Sequence, residues 1–163
     1  MRNRRQIFRA LLLGVALAGI PGCTKPPEAA TESAPLKHEH KPPHGGTPVV
    51  LGVELYHLEL VLDAATGKLQ AYVFDGELEN FIRSAAPALQ ISATVKGAPQ
   101  TLTLSAVANQ ATGETVGDTS LYEAQADWLK GVTEFDGTLA GITIRGTSFT
   151  DVKFNFPKRN DKD

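Results

Sequence analysis

The sequence predicts an all-β protein, an antiparallel immunoglobulin-like β-sandwich of about seven strands. Three observations carry that expectation. Apolar residues alternate with period two through the middle of the chain, Gly and polar clusters recur between the alternating runs, and helix start and stop signals are few among abundant Gly, Thr and Val.

The first run, Leu-Tyr-His-Leu-Glu-Leu-Val-Leu at Leu55–Leu62, puts Tyr56, Leu58, Leu60 and Leu62 on one face and Leu55, His57, Glu59 and Val61 on the other. Asp63-Ala-Ala-Thr-Gly-Lys68 is a turn signal, with Gly67 suited to a positive φ, so Leu69–Phe74 is the hairpin partner. Further strands are expected at Ala88–Val95, Gln100–Ala108, Ser120–Asp127, Gly137–Ile144 and Val152–Phe156, parted by turns such as Lys96-Gly97, Ala111-Thr-Gly113 and Arg145-Gly146. Leu78, Phe81 and Ile82 recur at helical spacing, which predicts one helical turn within Glu77–Ser84. Trp128 and Leu129 are expected to cap the core near a strand end, and Tyr72, Phe74, Tyr122 and the other aromatics to pack within the core or across strands.

Ahead of this domain the chain changes character twice. Residues 1–22 combine Arg2, Arg4, Arg5 and Arg9 with the apolar run Ala10–Ile20, which is far short of the roughly 20 residues a spanning helix needs and reads as an export signal. Ile20-Pro21-Gly22-Cys23 resembles the bacterial lipobox, whose cysteine is lipidated and becomes the first residue of the mature protein; Pro21 departs from the usual small or aliphatic residue. That resemblance implies membrane attachment through lipidated Cys23, and Thr24, in place of a retaining aspartate, implies the outer membrane facing the periplasm of a bacterial cell envelope. The other reading of the same residues is a soluble secreted protein with an ordinary signal peptide. Residues 23–43 are rich in proline and charge and poor in large apolar groups, so they form a disordered tether. The domain is expected at residues 44–157, with a polar tail at 158–163.

Removing residues 1–22 takes four arginines and no acid, so the formal charge moves from −2 to −2 − 4 = −6. A mildly acidic domain has no electrostatic case for nucleic acid. With one cysteine and one methionine, the initiator, the chain can form no internal disulfide and offers no soft ligands for Cu(I) in the folded part. There is no Gly-x-Ser-x-Gly elbow, no His-Glu-x-x-His and no phosphate-cradling loop, and an enzyme is not expected.

The chemistry concentrates in four histidines. His38, His40 and His44 fall within His38-Glu-His-Lys-Pro-Pro-His-Gly-Gly46, and His57 shares a strand face with Glu59. Imidazole is the commonest transition-metal ligand, and Gly45-Gly46 lets the chain bend where tether meets sheet, bringing His44 toward His57 and Glu59. His38, His40, His44, His57 and Glu59 are thus the candidate ligands for Zn(II) or Cu(II), between which imidazole and carboxylate do not discriminate. The bland reading of the same residues is a solvated tether and a half-exposed strand.

The run His40-Lys-Pro-Pro-His-Gly-Gly-Thr-Pro-Val-Val-Leu-Gly52, then Tyr56-His-Leu-Glu-Leu-Val61, Gly67-Lys68 and Ala71-Tyr-Val-Phe-Asp75, resembles an uncharacterised bacterial exported lipoprotein family with a His-Gly-Gly and His-x-Glu β module. The module is similar to segments near periplasmic adaptor subunits of heavy-metal efflux systems. The likeness covers about residues 40–75, and Asn109–Trp128 also resembles uncharacterised lipoproteins of similar length. The resemblance implies metal handling by His44, His57 and Glu59, as a buffer or partner of an efflux system. The alternative expectation is a metal-free interaction or scaffold module that binds another envelope protein.

Overall fold

The computed structural model describes residues 41–160. The segment expected to be an export signal, Cys23, His38 and His40 lie outside the described residues. Eight antiparallel strands form one nearly closed sheet: β1 (Thr47–Leu51), β2 (Tyr56–Asp63), β3 (Lys68–Asp75), β4 (Ala88–Val95), β5 (Ala98–Ala106), β6 (Leu121–Gln125), β7 (Phe135–Ile144) and β8 (Thr147–Phe156). Their order across the sheet is β1-β2-β3-β6-β5-β4-β7-β8.

The period-two pattern decides which face of each strand is buried. Val49, Leu58, Val73 and Leu60, Ala71, Tyr122 stand opposite one another across β1, β2, β3 and β6, and all are at most 1% exposed. Leu89, Ile91, Leu104, Leu139 and Ile144 complete the core from the other half of the sheet. Tyr122 is fully buried, and its hydroxyl donates to the Ala86 carbonyl at 3.0 Å, so the polar end of the ring is satisfied. At the β7–β8 end the Phe154 ring lies where a side chain at Gly137 would stand, and Phe135 stacks on Phe156 at 5.2 Å.

The expected strands are all present, and β1 is an addition. Pro48 interrupts its apolar run, and a proline demotes a segment to the edge of a sheet or out of it. β1 pairs only with β2. Val50, two residues on and therefore pointing its N–H the same way as Pro48 would, donates to Asn160 Oδ1 at 2.7 Å, and Asn160 Nδ2 returns a bond to the Val50 carbonyl at 3.1 Å. The proline ring thus occupies the outer edge, where no ladder bond is needed, and the Asn160 amide substitutes for a neighbouring strand at the next outward position.

The helical turn expected within Glu77–Ser84 is replaced by an irregular loop. Leu78 has φ 58°, outside the helical region, and the Asp75 carboxylate accepts the N–H groups of Glu79 and Asn80 at 3.0 and 3.2 Å. The loop then returns along β3, where Ile82 N–H donates to the Val73 carbonyl at 2.9 Å. Trp128 and Leu129 sit in a single 3₁₀ turn, Asp127–Leu129, with Leu129 buried and Trp128 edge-on to Phe135 at 6.4 Å.

The excursion between β5 and β6 is organised by Glu114. Its carboxylate accepts Ser120 N–H and Oγ–H at 2.8 and 2.6 Å and the Thr112 hydroxyl at 2.7 Å, with Arg83 Nε 4.0 Å away. Burial pushes the carboxyl up, but the bonds from Ser120 and Thr112 and the Arg83 charge outweigh it and hold the group below its ordinary value.

Three variants test these contacts. Leu60→Ala, at a position with no exposure, should lower stability by about 2–5 kcal/mol, whereas Asn160→Ala should cost about 1 kcal/mol, both read by urea denaturation. For Glu114, a folded pKa below the unfolded one means that its contribution is present above the unfolded value of about 4.3 and is lost as pH falls through the folded value. Stability of Glu114→Gln should therefore fall less steeply than that of the native protein below about pH 4.3, as denaturant midpoints across an acid series will report.

Candidate histidine–carboxylate site

Glu59 projects from the outward face of β2, between Pro48 of β1 and Tyr72 of β3, and His57 projects from the same face between Val50 and Phe74. An outward face of an edge-proximal strand would ordinarily meet water. Here Glu59 has no exposed surface and His57 only 2%. The cover comes from the chain preceding β1 and from the β3–β4 loop.

Two glycines bring the preceding chain down. Gly45 takes φ 68°, the left-handed conformation that glycine adopts without steric cost, and its N–H donates to the Pro42 carbonyl at 3.1 Å. Gly46 lies so close to β2 that a Cβ there would stand 2.5 Å from the Leu60 carbonyl oxygen and 2.9 Å from Glu59 Cγ. That approach delivers two backbone donors and an imidazole nitrogen to one carboxylate. His44 N–H and Gly46 N–H both reach Glu59 Oε1, at 2.8 and 2.9 Å, and His44 Nδ1 lies 2.7 Å from Oε2. A buried carboxylate left unpaired would be strongly destabilising, so these bonds are the condition of its burial.

The His44 ring is one-third exposed and stacks on Tyr72, with centroids 4.0 Å apart and planes 13° from parallel. Phe74 and Phe81, themselves stacked at 4.6 Å, lie at 6.1 and 6.0 Å from it. Phe81 is 54% exposed, so the cluster presents a ledge of aromatic surface beside the imidazole. Burial, then the charges of Glu123 and Glu59, push the Tyr72 phenol up.

Of the expected ligands, the fold brings His44 and Glu59 into contact. His57 shares their face but is enclosed, with Nδ1 3.3 Å from the Asp75 carbonyl. His38 and His40 lie outside the described residues, and among those described no group of three or more His, Cys, Asp or Glu side chains is arranged to hold a metal ion. Sequence reasoning assigned Tyr72 to ordinary packing and used Phe81 only for helical spacing. The signal for Tyr72 was present in the hairpin register, which sets it opposite Glu59; Phe81 carried none, because its place depends on the irregular loop.

An open groove elsewhere is lined by polar groups including Ser92, Thr101, Asp136, Lys153 and Asn155, and contains no histidine. Compared with models of known families, with curated proteins and with solved structures, the chain matches none.

Gly46→Ala should cost about 1–3 kcal/mol, the usual range for forcing an atom into packed space, and should expose His44. A lower denaturation midpoint together with broadened His44 ring resonances is the expected result.

Proposed function

We propose that the protein is a lipid-anchored envelope protein that binds a divalent transition metal, Zn(II) or Cu(II), at the junction of its tether and its sheet. The observation that carries this reading is the His44–Glu59 pair: a partly exposed imidazole held against a buried carboxylate, an arrangement typical of metal-bound histidines and their outer partners. His44 supplies the fixed imidazole from the folded domain, and His38 and His40, four to six positions upstream, supply the others. His57, enclosed beneath the loop, is structural in this reading.

The lipobox-like Cys23 would attach the protein to the membrane, with the outer membrane and a periplasm-facing domain as the proposed location. The module-like run from His40 to Asp75 supports a role as metal buffer or as partner of an efflux system. We read the nearly closed sheet as the expected sandwich, flattened so that β1-β2-β3-β6 faces β5-β4-β7-β8; the immunoglobulin-like comparison extends only to that layering.

A second reading, a metal-free interaction or scaffold module, is favoured by the exposed Phe81 and by Val53, which is 94% exposed at the β1–β2 turn. Calorimetry separates the two. Zn(II) or Cu(II) added to the mature protein at pH 7.5 should bind near one ion per chain, His44→Ala should abolish that binding, and His38→Ala/His40→Ala should weaken it at least tenfold. Absence of saturable binding would reject the metal reading in favour of the interaction module.

A further inference from the structure

We propose that Glu59 is a positioning residue and not a metal ligand: it fixes His44 as the Nδ1–H tautomer and leaves Nε2 as the one imidazole lone pair the described domain offers to a divalent metal. The second half of this statement rests on the metal reading; the first does not.

The donor count at the carboxylate leads to it. Oε1 accepts two backbone N–H groups, from His44 and Gly46, and a backbone N–H can only donate. Neither donor can turn away, because Gly46 is wedged against the β2 backbone at Leu60. Oε2 faces Nδ1 at 2.7 Å, and an ionised carboxylate has no proton to give, so the hydrogen in that bond belongs to Nδ1. In a neutral imidazole the other nitrogen then carries the lone pair. Nε2 has no hydrogen-bond partner among the described residues, and the ring is one-third exposed with Tyr72 along its side. Glu59, by contrast, has no exposed surface, and both its oxygens are engaged, so a metal has no approach to it without dismantling the turn.

The same count explains the spacing of the motif. The first residue of His-Gly-Gly gives a backbone N–H and a ring N–H, the second takes the left-handed turn, and the third gives the remaining N–H at a distance no side chain would permit. The carboxylate must then project outward from the neighbouring strand, as Glu59 does.

The test is nitrogen-15 spectroscopy of the imidazoles in the labelled mature protein at about pH 8.5, some two units above the ordinary histidine value of about 6.5. It is run on native protein and on Glu59→Gln, before and after addition of Zn(II). The native His44 should show a protonated Nδ1 and an unprotonated Nε2, the reverse of the tautomer favoured by free histidine in water, and Zn(II) should shift Nε2. In Glu59→Gln the amide oxygen should stay with the two backbone donors and the NH₂ should face Nδ1, which must then accept. The ring should switch to the Nε2–H tautomer, and Zn(II) affinity should fall roughly 10–100-fold. A native His44 found as the Nε2–H tautomer or as imidazolium at that pH would overturn the proposal, as would Zn(II) bound through Nδ1 or the Glu59 carboxylate. An Nδ1–H tautomer with no response to Zn(II) would uphold the positioning role while rejecting the metal reading. Should Glu59→Gln fail to fold, the tautomer in the native protein decides the matter alone.

Discussion

The burial of one carboxylate governs the architecture around β2. Glu59 stands on the face of the strand that the pleat turns away from the main core, yet it has no exposed surface. A carboxylate can be enclosed only where donors replace water, and here two backbone N–H groups and the imidazole nitrogen beside them come from a single short stretch, His44–Gly46. Gly46 has to be side-chain-free for its N–H to reach, and Gly45 has to turn left-handed for His44 to double back. Once those conditions hold, the ring of His44 has no choice but to lie on Tyr72, the residue directly across from Glu59.

The consequence is a second small packed layer outside the sheet. Phe74 and Leu78 are buried, at 1% and 3% exposure, without belonging to the main core, because their strand positions or loop turn them to the outer side. The Asp75 carboxylate builds the loop that carries Phe81 back over Phe74, much as Glu59 builds the turn that carries His44. Two acids thus shape the two covers of this face. The free edge of β1 is managed differently, by a proline that needs no partner and an asparagine side chain that supplies one.

How much of this was legible in the sequence depended on whether the determining signal was local. The facing of His57 and Glu59 followed from strict alternation along Leu55–Leu62, and the β2–β3 register from the turn around Gly67, whose φ is 73°. The approach of His44 to Glu59 was foreseeable because Gly-Gly has few other uses before a strand. β1 was missed because Pro48 argues against a strand, and its tolerance there rests on Asn160, more than a hundred residues away. The loop Glu77–Ser84 was misread because Leu78, Phe81 and Ile82 mimic helical spacing, while the features that exclude a helix, the positive φ of Leu78 and the Asp75 bonds, arise only once β3 ends at Asp75. Strand order, with β6 between β3 and β5, has no local signal at all.

His57 and Glu59 share a face of β2 but not a set of partners. Both are polar, both point outward, and they are separated by a single residue, so spacing alone treats them as a ligand pair. What separates them is the supply of partners. Glu59 meets donors brought by the N-terminal turn, and these leave His44 above it open on one side; His57 sits where the β3 end and its loop close over, with the Asp75 carbonyl as neighbour. A fixed imidazole with two more histidines four and six positions before it is a different proposition from a cluster embedded in a sheet. In the proposed reading His44 has already surrendered its freedom during folding, and with so few residues between His40 and His44 the loop an ion would have to close is short and its closure entropy small. In that reading the folded domain therefore sets where the ion is held, and the histidines before it set how readily it is taken up and released.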